Sequence, residues 1–163
     1  MIMMNDAIVL VGHGSKRTEA NSALERLCRL VAEDANGHEK HAATGATGAE
    51  ADAKPTLTEA PGRVEGPMMG LKVEAAFLQF ASPDLATVIE RMIADGYRGI
   101  VVVPVFLYEG AHATRDIPAI IEAQRRAHPD VRLTVSPVLG VDRRIAAMVW
   151  DRIGEAVETE PSE

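Results

Sequence analysis

Ala7-Ile8-Val9-Leu10-Val11-Gly12-His13-Gly14-Ser15 is a strand that runs straight into a glycine-flanked histidine. From Ala7 to Val11 every position is apolar, so both faces are expected to be covered, as in a parallel sheet. Gly12 to Ser15 breaks the strand. A helix is expected directly after Ser15, with Ala20, Leu24, Leu27, Cys28 and Val31 on one face at helical spacing.

The pattern recurs downstream. Leu71 to Phe80 reads as a second strand, and Ser82-Pro83 opens a helix with Ser82 as N-cap and Pro83 in its first turn. Leu85, Val88, Ile89, Met92 and Ile93 form that helix's apolar stripe, and Gly96 ends it. Gly99 to Leu107 is a β-branched third strand. Pro104 is awkward inside it, because proline cannot donate to a ladder, so a bulge or an irregular strand end is expected there. Tyr108 to Thr114 reads as a loop, and a third helix starts near Asp116-Ile117-Pro118, with Ile117, Ile120 and Ile121 facing inward. Val131 to Val135 is a fourth strand, and a last helix spans Val141 to Val157.

Strands alternating with helices imply an α/β, doubly wound, four-stranded parallel sheet. Residues 1–163 form one domain. Residues 36–66 interrupt the pattern with Ala, Gly, Thr, acids and prolines and no periodicity, so they read as a flexible insert between the first helix and second strand. Within it, His38-Glu39-Lys40-His41 is a solvated linker or, as the sharper alternative, a metal-loading tract.

A net charge of -7, from 24 acids against 17 bases, argues against a nucleic-acid partner but leaves room for a local basic patch. The single cysteine, Cys28, fits a reducing compartment. The N-terminal residues do not read as a signal peptide, and no run approaches the ~20 apolar residues of a membrane span. A cytoplasmic protein with no membrane partner is expected.

A strand order of 2-1-3-4, as in flavodoxin-like folds, makes the first and third strands neighbours, and ligands bind at the C-terminal ends of such strands. His13 and His112 follow those two ends, so they are expected on one rim. Neutral imidazole is a ready ligand for divalent transition ions and accepts protons near neutral pH. Gly12, Gly14 and Gly110 would let a large flat ligand approach closely. The first helix's N–H groups, with Ser15, Lys16, Arg17 and Arg115, would hold its carboxylates. A dinucleotide fingerprint is disfavoured, since Arg17 stands where a third glycine is needed.

At these residues a family resemblance emerges. Val9-Leu10-Val11-Gly12-His13-Gly14-Ser15, then Val73 to Pro83 (with Phe77-Leu78-Gln79-Phe80), then Val102 to Leu107 followed by Gly110-Ala111-His112 and Asp116-Ile117-Pro118, resemble the small class II chelatases of the CbiX/SirB type. The resemblance implies a single chelatase-like half-unit, pairing as a homodimer. It implies sirohydrochlorin as tetrapyrrole substrate in cobalamin or siroheme biosynthesis. The metal would be a substrate, Co2+ first and Ni2+ or Fe2+ as alternatives, with no tightly bound cofactor and no ATP requirement. His13 and His112 match the family's metal-binding and catalytic histidines. Several relatives carry Glu where this chain has Gln79, a neutral and much poorer third ligand, with Glu109 in the loop before His112 as the alternative source of a carboxylate. The alternative is a cobalt or nickel carrier that uses the same histidines without turnover.

Overall fold

A computed structural model describes residues 6–41 and 71–158, with side chains to residue 35 in the first segment. Four strands form one parallel sheet: β1 (Asp6–Gly12), β2 (Lys72–Phe77), β3 (Gly99–Pro104) and β4 (Arg132–Val135). Their order is β2-β1-β3-β4, the flavodoxin-like order expected from the sequence. Helices α1 (Thr18–His41), α2 (Leu85–Ala94), α3 (Ile117–Ala127) and α4 (Arg143–Glu158) connect or follow them, and a π-helical turn, His112–Asp116, runs into α3.

Side-chain alternation divides the core into two layers. Ala7, Val9 and Val11 of β1 join Ile100 and Val102 of β3 against Leu85, Val88, Ile89 and Met92 of α2 and Ile117 and Ile121 of α3. Ile8 and Leu10 point the other way, toward Leu24 and Cys28 of α1. Both layers are largely aliphatic, in keeping with 4% aromatic residues, with Phe77 buried in the second. Burying one such side chain contributes about 1.5–3 kcal/mol, so β1, covered on both sides, anchors the sheet.

Several boundaries differ from the sequence reading. The cap of α2 is Asp84, whose carboxylate accepts from the Thr87 N–H at 2.8 Å, and not Ser82. Helix α1 begins at Thr18 rather than directly after Ser15. β2 ends at Phe77, and β3 ends at Pro104. Pro104 needs no bulge: the Ser136 N–H donates to the Val102 carbonyl at 2.9 Å, just past the end of β4, so the next position on that side of β3 has no strand to donate to. Part of the loop assigned to 108–114 is already helical, because the π-turn starts at His112.

Of the segment read as an insert, 36–66, the first six residues continue α1 as helical backbone, and 42–66 lie outside the described residues. His38 and His41 therefore stand on the last turns of α1, but their side chains are outside the description. No helix among the described residues is long and apolar enough to cross a membrane.

Candidate active site

The C-terminal ends of β1, β2 and β3 form one rim. Pairing between β1 and β2 continues past their ends: the Leu78 N–H donates to the Gly12 carbonyl at 3.1 Å and the Gln79 N–H to the His13 carbonyl at 3.0 Å. The loop 78–83 is closed at its base by the Phe77 N–H donating to the Pro83 carbonyl at 3.0 Å. Gln79 and Phe80 are thus held beside His13.

Gly14 makes this approach possible. Its φ is +88°, and a Cβ there would lie 1.8 Å from the Gln79 carbonyl oxygen. This glycine, expected from the sequence to lie beside a ligand, lets two loops of the site touch. Gly110 has open space around it and no such constraint.

On this rim His13 and His112 meet. Their ring centroids lie 4.7 Å apart with planes at 80°. Nε2 of His112 lies 3.4 Å from the side-chain nitrogen of Gln79. Two imidazoles and one carboxamide therefore face one another. Among the described residues no group of three His, Cys, Asp or Glu side chains is clustered to hold an ion, and the side chain beside the two imidazoles is a carboxamide, not a carboxylate.

The residue that the histidine argument passed over is Asp116. Its Oδ2 accepts from Nδ1 of His112 at 2.6 Å. That bond, followed by one from Arg115 at 3.3 Å, holds the Asp116 carboxyl below the usual carboxylate range. With the Nδ1 proton committed to Asp116, Nε2 presents its lone pair to the rim. The i, i+4 spacing of His112 and Asp116 was the available signal. It lies in a segment whose helical geometry the sequence did not disclose.

Phe80 is the other addition. Its ring is 59% exposed, and its φ of 59° is unusual for a bulky residue. The ring stacks beside His13, centroids 6.3 Å apart and planes at 28°, with the Lys16 ammonium 5.6 Å from its centroid. A large aromatic face is thus offered to solvent next to the imidazole pair.

Because α1 begins at Thr18, the amides just before it belong to the loop. The Ser15 N–H donates to Asn21 Oδ1 at 2.9 Å, and the Arg17 N–H to Ser15 Oγ at 3.1 Å. These donors are already used within the chain. Lys16, Arg17 and Arg115 remain as exposed cations around the rim, Arg115 being partly engaged by Asp116. Glu74 is not at the site: it pairs with Lys72 at 2.9 Å and with Arg91 of α2.

A protein-family model described as CbiX matches residues 48–156, about two thirds of the chain. The chain belongs to the CbiX family. Gln79, His112 and Asp116 fall inside the matched CbiX region, while His13 precedes it. The sirohydrochlorin cobaltochelatase of Methanopyrus kandleri is 28% identical over 94% of this chain and 99% of its own length. The sirohydrochlorin ferrochelatase of Priestia megaterium is 37% identical over 50% of this chain, but the match spans only 31% of that relative. The solved structure of SirB from Bacillus subtilis with Fe3+ superposes with a TM-score of 0.65 at 24% identity, covering 98% of this chain and 49% of that one. The fold of this CbiX protein is thus shared with a chain about twice as long.

Proposed function

We propose that this chain is a sirohydrochlorin chelatase that inserts Co2+ into the tetrapyrrole without ATP, working as a pair of copies. The observation that carries the reading is the 4.7 Å approach of the His13 and His112 rings on the rim of a CbiX-family sheet. Cobalt is favoured over iron because the relative matched along its whole length is named a cobaltochelatase, while the ferrochelatase match spans less than a third of that protein.

The chemistry is an exchange of one divalent ion for two pyrrole protons. The ion is captured between His13 and Nε2 of His112, with the Gln79 carboxamide turning its oxygen inward as a neutral third ligand. As the ion passes to the macrocycle nitrogens, the released imidazoles accept the pyrrole protons and pass them to water. Asp116 fixes His112 in the tautomer that can do both, and its charge stabilises the imidazolium that forms. No nucleotide enters this balance.

The macrocycle lies against the exposed face of Phe80. Its carboxylates reach Lys16, Arg17 and Arg115, with Ser15 beside them. Gly14 keeps the floor of the site closed, and Gly110 leaves the entrance free of side chains. Charge-assisted contacts of this kind orient a polycarboxylate over the imidazoles.

The test is an anaerobic visible-absorption assay with sirohydrochlorin and, separately, Co2+, Ni2+ and Fe2+. Insertion faster than the spontaneous rate, highest with Co2+ and lost in His13→Ala and His112→Ala, is expected. Tight ion uptake without any acceleration would make the chain a metal carrier instead.

A further inference from the structure

The two imidazoles on the rim are held by different means. His112 is fixed through its Nδ1 by Asp116. His13 has no carboxylate partner among the described residues. Its Nδ1 has a 3.4 Å contact with the Gly14 carbonyl, which is long for a hydrogen bond. The Phe80 ring stacked beside it is itself mostly exposed. Ion-binding histidines ordinarily give their second nitrogen to a firm acceptor. Without one, the direction of the His13 ring must come from its backbone.

Asn21 grips that backbone. Its Oδ1 accepts from the Ser15 N–H at 2.9 Å, and its Nδ2 donates to the Ser15 carbonyl at 2.8 Å. One carboxamide thus satisfies both main-chain groups of Ser15, as a neighbouring strand would. Two bonds from one planar group fix orientation as well as distance. Asparagine is otherwise a poor residue inside a helix, because its side chain competes for main-chain groups. Here it stands near the start of α1, three residues before Leu24. Leu24 is buried against the sheet, so close to Gly12 that a Cβ there would lie 2.9 Å from Leu24 Cδ2. The clamp is thereby anchored to the core. Packing does not do this work for the loop. A cavity of about 320 Å³, lined by His13, Ser15, Asn21, Leu24, Phe77 and Val105, borders it.

We propose that Asn21 is the positioning residue of His13. It ties the Ser15 backbone to α1 and so holds the His13 imidazole in register with His112 for one divalent ion. It does through the main chain what Asp116 does for His112 through a side chain. The proposal rests on the reading of the two histidines as the ion's ligands.

The first arm of the experiment uses the full chain without metal or tetrapyrrole. In nitrogen-15-labelled protein, the imidazole resonances are assigned by comparison with His13→Ala and His112→Ala. Asn21→Ala should shift or broaden the His13 resonances and leave those of His112 in place. In the second arm, isothermal titration of Asn21→Ala with Co2+ should show an affinity about 10- to 100-fold lower, the scale on which the orienting partner of an ion-binding histidine acts. Ser22→Ala, whose hydroxyl donates to the Glu19 carbonyl at 2.8 Å in the same helix, should match wild type in both arms. Asn21→Asp keeps the acceptor for the Ser15 N–H and loses the donor to its carbonyl. It should also move the His13 resonances, and it replaces Asn21→Ala if that variant does not fold. Unmoved His13 resonances, equal movement of both histidines, or an unchanged Co2+ affinity in Asn21→Ala would overturn the proposal. A wild-type chain that accelerates no insertion, with His13 still moved by Asn21→Ala, would overturn the chelatase reading and leave the clamp on His13 standing.

Discussion

Nδ1 of His112 donates to Oδ2 of Asp116 at 2.6 Å across one π-helical turn, so a carboxylate sets the direction in which Nε2 of His112 looks. Single-turn π-helices occur often at functional sites, where the wider turn re-aims side chains. Here the turn lies directly between the loop that follows β3 and helix α3.

Removing that carboxylate tests its role. Asp116→Ala should lower Co2+ affinity and insertion rate by about 10- to 100-fold, the usual cost of losing a partner of a metal-binding histidine. Asp116→Asn keeps an acceptor for the Nδ1 proton and should recover much of the loss. Isothermal titration with Co2+ reads the first effect and the pH–rate profile reads the second. Equal damage from Asn and Ala would mean that the carboxylate acts by charge alone.

Phe80 predicts effects of opposite sign. At φ 59° a phenylalanine is strained, by about 1–3 kcal/mol, and glycine is not. Phe80→Gly should therefore hold or raise thermal stability, by about 1 kcal/mol at most once glycine's extra chain entropy is subtracted. The same variant should raise the KM for sirohydrochlorin several-fold while leaving Co2+ binding unchanged. A fall in stability together with unchanged KM would make the ring a packing element only.

Gly14 predicts a collapse of the site. A methyl group at φ +88°, 1.8 Å from the Gln79 carbonyl, forces the His13 and Gln79 loops apart. Gly14→Ala should cost about 2–4 kcal/mol, among the larger single-substitution effects, and remove insertion activity. Gly110→Ala, with open space around it, should change stability by less than about 0.5 kcal/mol. Urea denaturation of the pair measures the contrast.

Glu74 gives a pH dependence. Burial pushes its carboxyl up, but the bonds from Lys72 and Arg91 outweigh burial and hold it below 4.5. A lowered folded-state value means the stabilisation is present above the unfolded value, near 4.5, and is lost as pH falls through the folded one. Lys72 and Arg91 are 39% and 47% exposed, so screening limits the contribution to about 1 kcal/mol. Glu74→Gln should be less stable than wild type by that amount at pH 7, and the two curves should converge as pH falls below the lowered folded-state value. A constant gap across pH would assign the loss to packing.

The sequence by itself determined the kind of sheet and that two histidines meet on its rim. Unbroken apolar runs, helical periodicity and the right-handed crossover rule leave few topologies, and the β2-β1-β3-β4 order, expected by analogy with flavodoxin-like folds, is the one observed. In that order any residue after β1 and any residue after β3 share a rim, so His13 and His112 were legible as a pair although far apart in the chain. What only the tertiary structure decided are the contacts that periodicity does not encode. Gly14 against Gln79, the stacking of His13 on Phe80 and the capture of the Ser15 N–H by Asn21 depend on loop backbones whose partners are chosen across the fold. The bond from His112 to Asp116 needed a helical turn in a glycine-bearing stretch with no apolar repeat to announce it. The apolar row on α4 was equally visible in the sequence, but periodicity reports that a face is to be buried and not against what. Only the three-dimensional arrangement shows it standing clear of its own sheet.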